Sequence, residues 1–236
     1  MPAEWIGLTT PDGPMRAYVA RPESGAARAG IVVFQEAYGV NDHIQDVTRR
    51  FAQLGLVAVA PELFHRTVRA FDAPYDTEDA WSKIEPHYTA LTADGLADDA
   101  QSAYDYLAEI AGVQRIANAG FCLGGRASYV ANARAAFTAS VSFYGGGIAP
   151  DLLGLAPKQH GPILMFWGGL DTNIPPEKYR GVADALDGAK KAHEQVVFSQ
   201  AGHGFFCDQR KSYNAQASQQ AWALVIAFLR ANGVVN

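Results

Sequence analysis

The sequence predicts an α/β protein built on a doubly wound, mostly parallel sheet flanked by helices. Short continuous apolar runs rich in β-branched residues, such as Ile31-Val32-Val33-Phe34, suit strands buried on both faces. These runs alternate with stretches whose apolar positions recur at helical spacing, the arrangement of crossover-linked parallel strands. With 236 residues, 49% hydrophobic composition and no internal repeat or compositional shift, the chain is expected to form one domain over 1–236.

After the first strand, Asn41 or Asp42 can cap a helix whose positions Ile44, Val47, Phe51 and Leu54 form an apolar stripe until Gly55 ends it. Leu56 to Ala60, closed by Pro61, reads as the second strand. The segment 62–93 breaks the rhythm. It carries Phe64, His65, Arg66, Arg69, Phe71, Tyr75, Trp81, His87 and Tyr88 with no clean period, and is either a cap over the strand ends or an irregular surface excursion. A helix from about Leu96 to Ile110 follows, then a strand from Arg115 to Phe121 and a helix from Gly124 to Ala136. Ala139 to Tyr144 and Ile163 to Trp167 are further strands, Glu177 to Leu186 a helix, and Glu194 to Phe198 a strand. The last helix presents Ala221, Leu224, Val225, Phe228 and Leu229 on one face. Such a sheet places its ligand crevice at the strand carboxyl ends.

Net charge is −5 with no basic run, which leaves neither nucleic acid nor an anionic membrane an electrostatic footprint. The N-terminus has no leader pattern and no apolar stretch approaches a membrane span, so a soluble cytoplasmic protein is expected. Two cysteines make no disulfide framework and leave Cys122 free to react. His43, His65, His87, His160 and His193 show neither H-x-x-H nor H-x-x-x-H spacing, so no metal site and no cofactor are expected.

The chemistry gathers in three loops. In Gly120-Phe121-Cys122-Leu123-Gly124-Gly125 a thiol stands where a strand turns sharply into a helix, with glycines two residues to either side. The helix N-terminus favours a thiolate there, and the N–H of Leu123 faces any oxyanion. Alone, Cys122 could equally be a structural cysteine, Asp171 a turn residue and His203 a surface histidine. Together, Cys122, Asp171 in Gly168-Gly169-Leu170-Asp171, and His203 in Ala201-Gly202-His203-Gly204-Phe205 follow the order nucleophile, acid, histidine, each just past a strand. That is the order of α/β-hydrolases. Glu36 is a carboxylate directly after an apolar strand, and is either a structural acid paired with an arginine or a functional group.

These three blocks, with Gln35-Glu36-Ala37-Tyr38-Gly39-Val40-Asn41, resemble the dienelactone hydrolase family, carboxymethylenebutenolidase-like α/β-hydrolases with a Cys-His-Asp triad. The resemblance implies an α/β-hydrolase fold, Cys122 as nucleophile, His203 as its base, Asp171 as the group orienting the imidazole, and Glu36 as the acid controlling the thiol's protonation. The N–H groups of Ala37 and Leu123 would form the oxyanion hole. The implied reaction is hydrolysis of a small lactone or carboxylic ester through a thioester, by a monomer or homodimer. A non-catalytic small-molecule-binding protein on the same fold, or a redox pair of Cys122 and Cys207, are the rival readings. Well-studied members carry an arginine four residues after the histidine, where this chain has Cys207. Tyr38, Arg66, Arg69, Trp81, Tyr144, Phe205 and Arg210 are therefore the candidate substrate-binding residues, with the three arginines as alternatives for the missing cation.

Overall fold

A computed structural model describes residues 1–23, 27–110 and 112–236. Eight strands form one sheet in the order β1-β2-β4-β3-β5-β6-β7-β8. β3 (Ala29–Phe34), β4 (Val57–Pro61), β5 (Arg115–Phe121), β6 (Ala139–Phe143), β7 (Ile163–Gly168) and β8 (His193–Phe198) run parallel. At one edge an antiparallel hairpin adds β1 (Ala3–Thr10) and β2 (Gly13–Ala20). The sequence offered no clear run for this hairpin, because β1 is mostly exposed and shows little of the continuous apolar character that marks the central strands.

Alternation along β3 divides the core. Ile31 and Val33 pack with α1 (Asp42–Gln53), α5 (Pro176–Gly188) and α6 (Ala215–Ala231) on one face. Val32 and Phe34 pack with α3 (Ala93–Glu109) and α4 (Leu123–Arg134) on the other. All six β3 residues are buried, which is why the strand reads as a continuous apolar run. Each such large apolar side chain contributes about 1.5–3 kcal/mol on burial. Asn41 is the α1 cap, its side chain accepting the N–H of Ile44 at 3.3 Å.

Within 62–93 the structure corrects the expectation of no period. Helix α2 (Ala80–Thr89) places Trp81, Ile84 and Tyr88 at i, i+3 and i+7, one side of the helix, in spite of Pro86 in its interior. The preceding residues are tied to the Glu36 loop: Ala73 N–H donates to the Tyr38 carbonyl at 3.1 Å, and Gly39 bridges Asp72. No helix among the described residues is long and apolar enough to cross a membrane.

Candidate active site

The turn from β5 into α4 sets the site. Cys122 has φ +55°, a left-handed conformation rare for a residue with a Cβ, and its N–H donates to the Phe143 carbonyl at 3.0 Å. A Cβ on Gly124 would collide with the backbone carbonyl of Phe34, so only glycine lets α4 begin this close to β3. Cys122 is half-buried, immediately before the first turn of α4, whose leading N–H groups have no partner within the helix.

Asp171 follows β7 and His203 follows β8. Their loops are stitched together by the Leu170 N–H donating to the Ala201 carbonyl at 2.9 Å and the Gly169 N–H to that of Phe198 at 2.8 Å. His203 Nδ1 lies 2.7 Å from Asp171 Oδ2. The other carboxylate oxygen, Oδ1, accepts the N–H groups of Asn173 at 2.9 Å and Ile174 at 3.3 Å, which fixes the orientation of a side chain only 1% exposed. Burial disfavours an imidazolium at His203, but the charge of Cys122 beside it and the hydrogen bond to Asp171 prevail, and the ring is pushed up to about 10.

Cys122 and His203 open onto a cavity of about 450 Å3, whose lining also includes Ala37, Tyr38, Trp81, Ile84, Tyr88, Leu123, Gly146, Gly147, Asn173 and Arg210. Glu36 lies fully buried, with Oε1 3.5 Å from the Arg210 guanidinium and Oε2 without a partner. Glu36 is thus paired with an arginine, as its structural reading expects, and that arginine lines the cavity. Arg210 crosses the face of Gly204, where any Cβ would displace it, and lies 5.4 and 5.9 Å from the ring centroids of Tyr38 and Tyr75. The Lys211 N–H, donating to Asp76 Oδ2 at 2.6 Å, anchors this loop to the excursion.

Four candidates lie elsewhere. Arg66 binds the buried carboxylate of Asp99 through both terminal nitrogens, at 2.8 and 2.9 Å, and also Asp12, so its charge is satisfied away from the cavity. Arg69 is exposed and does not line the cavity. Tyr144 and Phe205 are fully buried, their rings 5.3 Å apart, and Tyr144 backs His203 with a centroid separation of 5.1 Å. They form the wall behind the histidine and have no surface in the cavity. Sequence reasoning missed Ile84, Tyr88, Gly146, Gly147 and Asn173; the spacing of Trp81, Ile84 and Tyr88 was the pattern that could have found the first two.

Comparison with known proteins gives one consistent result. The dienelactone hydrolase family pattern matches residues 15–233. Over 218 residues the chain is 35% identical to a Synechocystis protein named "Putative carboxymethylenebutenolidase", with 88% of each chain covered. A solved structure from Klebsiella pneumoniae, named "Putative Dienelactone Hydrolase", superposes with a TM-score of 0.86 at 27% identity, covering 97% of this chain and 98% of the other. A dienelactone hydrolase-like promiscuous phosphotriesterase from metagenomic libraries superposes with a TM-score of 0.83 at 26% identity, covering 98% and 99%.

Proposed function

The chain belongs to the dienelactone hydrolase family, a carboxylic ester and lactone hydrolase by kinship, and on that premise we propose that it cleaves a small ester or lactone through a thioester on Cys122. The observation that carries this reading is the hydrogen-bonded Asp171–His203 pair beside Cys122 at the floor of the cavity. Cys122 Sγ attacks the carbonyl carbon, and the oxyanion accepts the N–H groups of Ala37 and Leu123. As the C–O bond breaks, the His203 imidazolium gives its proton to the leaving oxygen, which in a lactone stays tethered to the acyl chain. Neutral His203 then takes a proton from water, the hydroxide adds to the thioester, and the thiolate leaves. Asp171 holds the imidazole in the tautomer this needs, and Glu36 governs the protonation of the thiol.

The aromatic surfaces of Tyr38, Trp81 and Tyr88 suit a flat, small acyl group, and Arg210 is the cation placed to hold an anionic substituent on it. In this reading 62–93 acts as a cap, its α2 helix closing one side of the cavity. The test is ring opening of a dienelactone by the purified protein, beside a simple aryl ester, with Cys122→Ala as the blank. Cys122-dependent opening of the dienelactone is expected. Turnover that survives in Cys122→Ala would overturn the scheme, and turnover of the aryl ester alone would remove the anionic substituent from it.

A further inference from the structure

Behind the cavity, on the α1 side of the sheet, His43, Cys207 and Asp208 each bring one donor atom to a place where the three lie within 4.8 Å of one another. No other group of three or more such side chains occurs among the described residues. Sequence spacing could not reveal this, because His43 sits in the first turn of α1 while the other two follow the His203 loop. His43 is 3% exposed, its Nε2 is buried without a hydrogen-bond partner, and its Nδ1 is 3.8 Å from Asp208 Oδ1, beyond hydrogen-bond length. A buried ring nitrogen without a partner, as at Nε2, is costly unless something else meets it.

We propose that His43, Cys207 and Asp208 form a binding site for a borderline-soft divalent cation of the zinc or cobalt type. The donor set is one imidazole nitrogen, one sulfur and one carboxylate oxygen, which suits zinc or cobalt and not the all-oxygen preference of calcium or magnesium. Around a tetrahedral ion at ordinary bond lengths such donors stand roughly 3.5 Å apart. His43 Nδ1 and Asp208 Oδ1 already stand 3.8 Å apart, and the Asp208 side chain, 68% exposed, is free to turn toward an ion. A surface cavity of about 210 Å3, lined by His43 and Asp208 with Asp46 and Arg50 beside them, gives an ion an approach to these two ligands and leaves room for water as the fourth, while fully buried Cys207 closes the site from within. On binding, the Cys207 S–H bond breaks, its proton leaves to solvent and a sulfur–metal bond forms, so thiolate and carboxylate together neutralise the ion. The site uses none of the residues assigned to hydrolysis and stands or falls independently of that assignment.

The chain has two cysteines, so the Cys122→Ser protein leaves Cys207 as the sole thiol. That protein is freed of metal with a chelator and titrated with Co2+ while thiolate-to-cobalt charge-transfer absorption is followed. Saturation at one equivalent is expected, with the band erased by Zn2+ and absent after Cys207→Ser. His43→Gln and Asp208→Asn are expected to weaken binding at least about tenfold. Because Asp208 is exposed, Asp208→Asn decides the matter even where a substitution at buried His43 or Cys207 prevents folding. No charge-transfer band up to millimolar Co2+, or a band whose Kd is unchanged by Asp208→Asn, would overturn the proposal.

Discussion

Replacing Asp171 by asparagine removes one charge and keeps nearly all of the shape. The carboxylate meets His203 Nδ1 at 2.7 Å, and its side chain is 1% exposed. With charge centres about 4 Å apart and an effective dielectric near 20, the attraction lost when His203 carries its proton is about 4 kcal/mol, or roughly 1,000-fold in rate. A second effect adds to it. The N–H groups of Asn173 and Ile174 both point at Oδ1, so the introduced amide keeps its carbonyl oxygen there and turns its NH2 toward Nδ1. The ring must then accept at Nδ1 and carry its proton on Nε2, the tautomer that cannot act as a base toward sulfur or water. Stopped-flow release of aryl alcohol from an activated ester in the first turnover measures the step, with circular dichroism to confirm the fold. A loss of at least about 1,000-fold is expected, and a loss below about tenfold would refute the role given to Asp171.

The same pair should show in stability. Folding raises His203 to about 10 from its ordinary 6.5, through the charge of Cys122 first and the hydrogen bond to Asp171 next, so the stabilisation, of which Asp171 supplies a part, is whole below pH 6.5 and is lost as pH rises through 10. Urea denaturation should therefore find Asp171→Asn less stable than the parent at pH 6, with the gap narrowing by pH 10.5. Arg210→Met leaves the fully buried Glu36 without its cation and should cost about 3 kcal/mol or more, whereas the double variant with Glu36→Gln should recover part of that loss. Trp81→Ala removes a side chain 51% exposed at the cavity mouth, so KM for an aryl ester should rise while the unfolding midpoint stays put.

The loops that hold Cys122, Asp171 and His203 were legible in the sequence because each is a short glycine-bearing segment just past a strand. The central parallel strands β3 to β7 were legible for a related reason: burial on both faces leaves them nearly continuously apolar, as in β3, whereas β8 at the sheet edge is only partly buried. What failed was whatever depends on which face a side chain takes. Phe205, two residues after His203, and Tyr144, directly after β6, turn into the core, and Arg66 is drawn off by Asp99, a partner in α3 that no local pattern announces. Arg210 reaches the cavity only because Gly204 leaves room and Tyr38 and Tyr75 flank it, a convergence of three loops. Helix α2 was hidden by Pro86 and by aromatics that face the cavity instead of a core.

The thioester is the central claim, and intact mass measurement of the protein, quenched in acid during turnover of a slow activated ester, tests it most directly. A mass gain of one acyl group is expected, carried on the peptide that contains Cys122 and removed by hydroxylamine. Full turnover with no acyl group on that peptide at any quench time, or an acyl group carried elsewhere, would contradict it.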